Sequence, residues 1–481
     1  MILKQFYDEN LAQASYLVGC AATGEALVID PNRDAAQYIA AAATEGLRVT
    51  AVTETHIHAD FVSGTRELAA RTGARMYLSD EGDEPWKYRF AKHDGATLVK
   101  NGDIIQVGNI RIEVMHTPGH TPEHISFLLT DTAATDRPMG IFTGDFIFVG
   151  DVGRPDLLEK AAKLVGTQEA AARTLYFSLQ KVHNLPDYLQ IWPGHGAGSA
   201  CGKGLSAVRQ STLGYERITN WAFAPMDEEA FVAAVLSGQP EPPKYFAEMK
   251  RINKEGPPIL HGFHHPEHRT GSQPAALLKQ GDTIVDTRPA SEFAAGHIPG
   301  TINIPLNKAF STWAGWLIPY DASFSLLIDH RCDQCLDEAT RDLTTIGLDR
   351  INGYFDAEGA LAAWAAGGGQ LETVPQMTAQ DMARLLQADA VTVVDVRGQT
   401  EWETGHLPGA MHIPLGDLTD RLNEIPREKP IVVQCGSGAR SAIGASLLRA
   451  NGFENVINLI GGYAAWQAAG NPVERPVCQT G

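Results

Sequence analysis

The sequence lacks several features that would place the chain in a membrane, on nucleic acid or outside the cell. No apolar run approaches the roughly 18 residues that a membrane-spanning helix requires. Lys and Arg number 39 against 57 Asp and Glu, and the resulting net charge of -18 disfavours binding to nucleic acid or to an anionic membrane. The first residues, MILKQFYDENLAQ, contain no basic region followed by an apolar stretch, so no secretory signal is expected.

Cysteine is also scarce, with six residues in a chain of 481. So few cysteines do not make a disulfide framework. They predict reduced thiols, one or two of them reactive, in a reducing compartment. The remaining composition is that of a globular protein, with 44% hydrophobic and 20% charged residues. At about 150 residues per domain, the length predicts about three domains.

An internal repeat occupies the second half of the chain. Residues 285–307 (VDTRPASEFAAGHIPGTINIPLN) match residues 394–416 (VDVRGQTEWETGHLPGAMHIPLG) at an offset of 109. Residues 346–364 resemble residues 451–466 at an offset of 105, so the first copy carries four more residues between the two blocks. A repeat of this length predicts two domains of one fold.

Each copy alternates short apolar runs with helical stretches. TIVDTR, VTVVDVR and IVVQC are typical of buried strands, whereas ARSAIGASLLRANGF has apolar residues at helical spacing. This alternation predicts a parallel sheet covered by helices. We expect the two domains at 268–370 and 374–475, joined by the Gly- and Pro-containing stretch at 367–377.

Residues 1–240 have a different pattern. Strand candidates such as ALVID, VTAVTET, IRIEVMH and GIFTGDF occur with helix candidates such as AAQYIAAAATEG. The mixture predicts one α/β domain with many strands. Residues 241–267 are rich in Pro, Lys and His, and we expect them to connect this domain to the repeats.

Histidine and aspartate cluster on turns that follow strand candidates of this first domain. The motifs are Thr-His-Ile-His-Ala-Asp at 55–60, Thr-Pro-Gly-His at 117–120, Thr-Gly-Asp at 143–145 and Gly-His at 194–195. Strands fix the backbone and turns can aim imidazole and carboxylate groups at one point, as a metal site requires. One His-x-His pair is a weak signal, but four such motifs in this order predict a metal site.

The four motifs resemble those of the metallo-β-lactamase superfamily, whose fold is an αββα sandwich with the metal between two sheets. In the family pattern HxHxDH, the last histidine binds a second metal ion in hydrolases of the glyoxalase II type, but this chain has Phe61 there. The resemblance therefore points to the mononuclear persulfide dioxygenases. It implies one Fe(II) per chain, bound by His56, His120 and Asp145. Such a triad leaves coordination positions open for O2 and a sulfur substrate.

Other polar residues of these motifs are expected to line the pocket. His58, Asp60 and His195 would orient ligands or form a buried hydrogen-bond network, with direct metal contact left open. Cys201 could carry or position a persulfide, or be a small buried residue. Arg154 is a candidate to bind a carboxylate of the thiol carrier, with a loop salt bridge as the alternative. Two flanking histidines are expected to be structural: His116 and His124.

A second constellation, Cys-Gly-Ser-Gly-Ala-Arg-Ser at 435–441, lies between an apolar strand and an amphipathic helix. Backbone N–H groups of such a loop point at the sulfur of Cys435, and the helix dipole favours the thiolate. A thiolate there can attack sulfane sulfur, hold it as a persulfide and pass it on. Arg440 adds positive charge at the rim. The predicted cradle consists of the neighbouring residues: Gly436, Ser437, Gly438, Ala439 and Ser441.

The second copy resembles the rhodanese sulfurtransferases in its DVR, GHLPGA and CxxGxRS elements. Phosphatases of similar fold are the alternative, but their CxxxxxR loop carries one more residue. In the first copy the position of Cys435 falls on His330, and that of Arg440 falls on Cys335. We therefore expect a rhodanese-like domain without sulfurtransferase activity, used for spacing or docking. Its CxxC, formed by Cys332 and Cys335, could be a redox or metal pair.

The predicted fold class is a multidomain α/β protein, with an N-terminal αββα sandwich followed by two rhodanese-like α/β parallel-sheet domains. This order resembles the fused persulfide dioxygenase–rhodanese proteins of bacterial sulfide detoxification. The resemblance implies that O2 oxidises glutathione persulfide, or a similar small persulfide, to sulfite. Cys435 would then make or use thiosulfate. It also implies a cytoplasmic homo-oligomer, either a dimer or a tetramer.

Two other functions stay open. The first is a glyoxalase II-like thioester hydrolase with a Zn site fused to rhodanese, against which Phe61 argues. The second is a binding protein that senses persulfide through Cys435, against which the complete ligand set argues. The thiol carrier is also open among glutathione, coenzyme A, bacillithiol and a protein persulfide, as is the direction of the rhodanese reaction.

Overall fold

The computed structural model describes residues 1–157, 159, 166–270 and 274–475. The chain divides into two compact units. The first comprises Met1–His264 and Thr344–Gly347, and the second comprises His265–Leu343 and Leu348–Gly481. Among the described residues, no helix is both long and apolar enough to cross a membrane.

Two six-stranded sheets form the centre of the first unit. In the first sheet the order is β1-β2-β3-β4-β5-β6, with antiparallel pairs up to β3 and parallel pairs after it. The sheet consists of β1 (Ile2–Asp8), β2 (Gln13–Cys20), β3 (Glu25–Ile29), β4 (Arg48–Thr53), β5 (Arg75–Ser79) and β6 (Thr97–Val99).

The second sheet has the order β12-β11-β10-β9-β8-β7, in which only β10 and β11 pair in parallel among the described strands. It consists of β7 (Ile104–Val107), β8 (Ile110–His116), β9 (Ile125–Asp131), β10 (Gly140–Gly144), β11 (Gln190–Pro193) and β12 (Ser211–Thr212).

Helices cover the outer faces of both sheets. In the described part of this unit the α-helices are Ala35–Thr44, Thr65–Thr72, Gln168–Lys181, Leu213–Thr219, Glu228–Leu236 and Tyr245–Glu255. Short 3-10 turns lie at Glu84–Trp86, Val182–Asn184 and Trp221–Phe223.

The alternation of side chains along the central strands produces the layered core. Tyr16 and Val18 on β2 face the inter-sheet core, where Phe142 and Trp192 also pack. Leu17, one residue away, points to the opposite face and packs in the cluster under the first helices. Successive strand residues point to opposite faces, so a strand in an inner layer is buried on both sides. The predicted αββα sandwich is confirmed.

The segment expected to connect the first domain to the repeats contains the helix Tyr245–Glu255, which belongs to the first unit. Tyr245, Phe246 and Met249 are buried along one side of it. Asn253 donates from Nδ2 to the carbonyl oxygens of His58 (2.8 Å) and Phe61 (2.7 Å). The first domain therefore extends beyond residue 240, because the apolar stripe of this helix outweighs the polar composition that suggested a linker.

The second unit contains two parallel sheets. The first has the order β14-β13-β15-β16, and the second has the order β17-β21-β20-β18-β19. The strands are β13 (Thr283–Asp286), β14 (Ile302–Asn303), β15 (Phe324–Ile328), β16 (Ile351–Asp356), β17 (Gln376–Met377), β18 (Thr392–Asp395), β19 (Met411–His412), β20 (Ile431–Gln434) and β21 (Val456–Leu459).

Helices flank these sheets, as the alternating pattern predicted. In the first copy they are Pro274–Gln280, Ala290–Ala295, Phe310–Leu317, Cys335–Thr345 and Ala357–Ala366. In the second copy they are Ala379–Gln387, Gln399–Thr404, Ala439–Ala450 and Gly462–Ala468, with a 3-10 segment at Leu415–Glu424.

The repeated Asp-x-Arg sequence forms the same buried ion pair in both copies. Arg288 pairs with Asp286 through Nε and Nη2, and Arg397 pairs in the same way with Asp395. Each arginine also donates to the carbonyl oxygen of the glycine in the Gly-His turn, Gly296 or Gly405. A buried charge needs such partners, which explains why these residues recur together in both copies.

Candidate metal and sulfur-transfer sites

The predicted metal ligands come from turns at the same end of the two central sheets. His56 follows β4, His120 follows β8 and Asp145 follows β10. Strands β8 and β10 both pair antiparallel with β9, so they run in the same direction and their last residues lie at the same end of the sheet. The register of the sheets therefore brings together residues that are far apart in sequence.

The three ligand atoms form a buried group. His120 Nε2 lies 3.5 Å and His56 Nε2 lies 3.9 Å from Asp145 Oδ2, and all three ligand atoms lie within 4.8 Å of one another. Among the described residues, neither carboxylate oxygen of Asp145 has a hydrogen-bond partner of normal geometry. An unpaired buried carboxylate is costly, and two imidazoles facing it make a donor set that fits a divalent transition metal.

Hydrogen bonds at the far nitrogens hold both imidazoles in place. His120 donates from Nδ1 to the carbonyl oxygen of Arg154 (3.0 Å), and His56 Nδ1 lies 3.0 Å from Thr55 Oγ1. Because Thr55 Oγ1 donates to Asp30, the His56 contact assigns the proton to Nδ1. Burial lowers the pKa of both histidines. The rings are therefore neutral, with Nε2 available to a metal.

A second group of potential ligands adjoins the first. Asp60, His195 and Cys201 are buried, and one ligand atom from each lies within 4.8 Å of the others. His195 Nε2 is 3.3 Å from Asp60 Oδ2 and 3.5 Å from Asp145 Oδ1. Burial raises the pKa of the Cys201 thiol, and the carboxylates of Asp145 and Asp60 raise it further. Phe61 stands in place of the last histidine of the family pattern, but Asp60, His195 and Cys201 still offer metal-ligand atoms beside the triad.

His58 has a different partner from the other motif histidines. Its Nε2 lies 3.0 Å from Asp30 Oδ1, and its ring packs 4.4 Å from that of Phe61. Burial alone would lower the pKa of His58, but Asp30, Glu54 and Asp60 raise it to about 9. Asp30 also accepts from the backbone N–H of Thr55 (2.6 Å), so it holds the turn that carries His56. Sequence motifs did not single out Asp30, although it directly follows the apolar run ALVI.

Arg154 lies within a network of loop contacts in this structure. Its side chain is fully buried and donates from Nε and Nη2 to both carboxylate oxygens of Asp156 (2.8 and 2.7 Å). It also donates to the carbonyl oxygens of Ala200 and Pro240. These bonds tie the loop next to His120 to the loop that precedes Cys201. The alternative, a loop salt bridge, is what the structure contains.

The two flanking histidines lie outside both ligand groups. His124 Nε2 accepts the backbone N–H of Asp145 (3.1 Å), and its Nδ1 lies 2.9 Å from Thr117 Oγ1. His116 Nε2 donates to the carbonyl oxygen of Pro122 (2.9 Å). Both therefore belong to the hydrogen-bonded framework of the turns, in line with the structural role expected for them.

Cys435 lies at the end of β20, one loop before the helix Ala439–Ala450. Its side chain is fully buried, and the N–H of Gly438 donates to its sulfur (3.1 Å). Gly438 has a φ of 98°, a left-handed conformation that favours glycine and turns its N–H inward. Ser441 was predicted to belong to the cradle, but its hydroxyl donates to Asn458 Oδ1 (2.6 Å).

Two residues that support this loop were not found from the sequence. Glu401 accepts from Nη1 and Nη2 of Arg440 at 2.6 and 2.7 Å. Gly462 packs so closely on Cys435 that an added Cβ would meet the Cys435 carbonyl oxygen at 2.1 Å. The repeat alignment could have flagged Glu401, because Glu292 holds the matching position in the first copy.

The first copy has no thiol at the position of Cys435. His330 lies there, with Nδ1 2.8 Å from Asp356 Oδ1. Arg331, the next residue, pairs with Glu292 and Asp329. Cys332 and Cys335 form a disulfide, so the redox interpretation of this CxxC is favoured over a metal pair.

The sequence matches two families. Residues 9–195 match the Metallo-beta-lactamase superfamily, and residues 272–364 and 378–469 each match the Rhodanese-like domain. A crystal structure of a metallo-beta-lactamase from Staphylococcus aureus is similar, with 48% sequence identity and a TM-score of 0.68. The match covers 73% of this chain and 98% of that chain.

Two curated relatives each match less than half of the chain. The mitochondrial persulfide dioxygenase ETHE1 of Bos taurus is 30% identical over 198 residues, 40% of this chain and 68% of the bovine protein. A beta-lactamase hydrolase-like protein of Xylella fastidiosa is 29% identical over 250 residues, 47% of this chain. The chain spans about half of that relative, 54% of its length. The chain therefore belongs to the metallo-beta-lactamase superfamily, as a fusion of one metallo-beta-lactamase domain with two rhodanese-like domains.

Proposed function

We propose that this chain is a persulfide dioxygenase fused to a sulfurtransferase. The first unit would oxidise a small persulfide, such as glutathione persulfide, according to RSSH + O2 + H2O → RSH + HSO3⁻ + H⁺. The observation that carries this proposal is the buried group of His56, His120 and Asp145, a two-His, one-carboxylate donor set. The similarity to a persulfide dioxygenase supports iron as the metal.

His56, His120 and Asp145 would hold one Fe(II), which when bound supplies the redox chemistry between O2 and sulfur. The hydrogen bonds that His56 Nδ1 donates to Thr55 Oγ1 and that His120 Nδ1 donates to the Arg154 carbonyl oxygen keep both rings aimed at Asp145. The walls around this centre are buried, so little water competes for it.

The third domain would move sulfane sulfur through Cys435. The Cys435 thiolate attacks the outer sulfur of a persulfide. A bond forms between Cys435 Sγ and that sulfur, the S–S bond of the substrate breaks, and the carrier leaves as its thiol. Sulfite then attacks that outer sulfur, which gives thiosulfate and regenerates the Cys435 thiolate. The Gly438 N–H stabilises negative charge on Cys435 in both steps. A tethered domain works at an effective concentration of about millimolar, which helps to consume reactive sulfite.

A second candidate is a two-metal thioester hydrolase of the glyoxalase II type. The observation that favours it is the second ligand group, Asp60, His195 and Cys201, beside the first. Two metals there would suit an activated water rather than O2. The similarity to a protein named as hydrolase-like is in line with this candidate. The fusion to rhodanese-like domains favours the dioxygenase over the hydrolase.

Metal analysis and O2 uptake on one sample separate the two candidates. Protein purified without oxygen is expected to contain about one iron per chain and to consume O2 with glutathione persulfide. Both should disappear in His120→Ala and persist in the matched control His116→Gln. About two zinc per chain, no O2 uptake and hydrolysis of S-lactoylglutathione would instead establish the hydrolase.

A further inference from the structure

A pocket lies in the first rhodanese-like domain at the place where the second domain has its Cys435 loop. The loop after β15 contributes Asp329, His330 and Arg331 to its lining, just as the Cys435 loop follows β20. Its volume is about 520 Å³, which is within the range of small-molecule sites. The first copy therefore has a cavity at the position where the second copy has the Cys435 loop.

The pocket combines apolar lining residues with charges of both signs. The apolar lining residues are Ala357, Leu361, Ala362, Ala365 and Leu371. On its rim, Arg331 bridges Glu292 and Asp329, and His330 Nε2 lies 3.5 Å from the exposed Glu358. A ligand that carries both an ammonium and a carboxylate group on a short stem suits such a lining better than a simple anion.

The Cys332–Cys335 disulfide follows the pocket residue Arg331 directly. Both cysteines are half-buried, so a small thiol can approach them. Cys335 is the first residue of the helix Cys335–Thr345, where the helix dipole favours a thiolate. Asp337 and Glu338 in the first turn oppose that effect, but both are exposed and screened by solvent. Cys335 is therefore the better leaving group of the pair.

We propose that the first rhodanese-like domain is a thiol–disulfide exchange site for a small zwitterionic thiol of the glutathione type. The thiolate of the bound molecule attacks Cys332 Sγ, the Cys332–Cys335 bond breaks, and Cys335 leaves as a thiolate. A second thiol attacks the sulfur of the molecule held on Cys332, and Cys332 leaves. Two electrons pass from the two thiols to the disulfide, their two protons end on the two cysteines, and a small-molecule disulfide is released. This activity requires neither iron nor Cys435, so it stands apart from the proposed function.

The redox behaviour of the full chain tests the exchange. The oxidised protein is incubated with glutathione at millimolar concentration, alkylated without unfolding, and read by peptide mass spectrometry. We expect Cys332 and Cys335 to become alkylated together. In Cys335→Ser, glutathione disulfide should exchange with the free Cys332 thiol, leave one glutathione on Cys332 and release the other as the thiol. A pair that stays oxidised in glutathione and opens only with dithiothreitol would be a structural disulfide, and this result would overturn the proposal.

Variants of the pocket test whether it binds the thiol. Ala362→Trp places a large side chain at an exposed lining position, and Ala366→Trp on the same helix but outside the lining is its control. We expect Ala362→Trp to slow reduction by glutathione about tenfold and to leave reduction by uncharged 2-mercaptoethanol unchanged. Glu358→Gln, at an exposed rim position, should slow reduction of the disulfide by glutathione but leave reduction by 2-mercaptoethanol unchanged. Equal rates for both thiols in both pocket variants would show that the pocket takes no part.

Discussion

Glu401 pairs with both terminal nitrogens of Arg440, so the single cation of the Cys435 loop is neutralised by a residue outside the loop. Burial alone would raise the pKa of Glu401, but the hydrogen bonds and charge of Arg440 lower it. The pair thus stays ionised near neutral pH and ties the helix Gln399–Thr404 to the Cys435 loop. Because Arg440 is neutralised, a dianion such as thiosulfate is attracted only weakly to this loop. A persulfide carries less negative charge, so its binding depends less on a nearby cation.

Glu401→Gln should therefore change the preference of the sulfur-transfer site. Without the carboxylate, the charge of Arg440 becomes available to anions, and we expect a several-fold lower KM for thiosulfate that weakens with added salt. Stability should fall by only about 0.5 kcal/mol, because the pair is partly exposed. Steady-state kinetics with thiosulfate and with glutathione persulfide measure the effect. Glu403→Gln on the same helix is the control, and an unchanged KM would contradict the prediction.

Asp145→Asn is expected to have opposite effects on the metal-free and metal-loaded protein. Within the described part of the chain, the Asp145 oxygens have no hydrogen-bond partner of normal geometry, and the carboxylate of Asp60 lies near them. Removing the charge should therefore stabilise the fold by about 1–2 kcal/mol. The same change removes the anionic ligand and should abolish iron binding and the stabilisation that iron gives. Denaturant unfolding with and without iron tests this, and equal destabilisation in both states would mean that Asp145 supports the fold alone.

Arg154→Lys should lower stability without changing substrate affinity. Lysine keeps the charge but cannot reproduce the planar fork that holds Asp156 and two carbonyl oxygens. We expect a loss of about 3 kcal/mol, as when a buried ion pair is broken. The KM for glutathione persulfide should stay within twofold of the wild-type value, about 0.4 kcal/mol. A much higher KM at normal stability would return Arg154 to the role of a substrate ligand.

His297 gives the second unit a dependence on pH. Burial lowers its pKa, although its Nδ1 donates to the carbonyl oxygen of Phe293 and Glu372 lies near its Nε2. The folded state therefore binds this proton less readily than the unfolded state, and stability falls as the pH drops below about 6.5. The slope from one group cannot exceed about 1.4 kcal/mol per pH unit. Denaturant unfolding of wild type and His297→Gln at pH 7.5 and 5.5 measures it, and parallel curves would refute the assignment.

Cys435→Ser should separate the two proposed activities. The hydroxyl cannot form a persulfide, so sulfur transfer should be lost and no sulfur adduct should appear in the intact mass. O2 uptake with glutathione persulfide should continue, because the metal group lies in the other unit. Cys20→Ser is the control for loss of a thiol elsewhere. Loss of both activities in Cys435→Ser would show that oxidation requires the sulfur-transfer thiol.

The sequence by itself determined the domain order, the rhodanese repeat and the residue types of both sites. Short continuous apolar runs such as ALVI and IVVQ predict buried strands, and the repeat at offset 109 predicts two copies of one fold. Both signals can be read without knowledge of long-range contacts. The motifs that carry His56, His120 and Asp145 were recognisable for the same reason. Each is a short turn after a strand.

Only the tertiary structure decided what those residues contact. Whether Arg154 binds a substrate or a loop depends on Asp156, Ala200 and Pro240, and no local pattern predicts where those backbones lie. The grouping of Asp60, His195 and Cys201, and the pocket lined by Asp329, His330 and Arg331, likewise depend on long-range packing. Side-chain contacts across separate loops are set by sheet register and by the burial of charge, and both are properties of the folded chain.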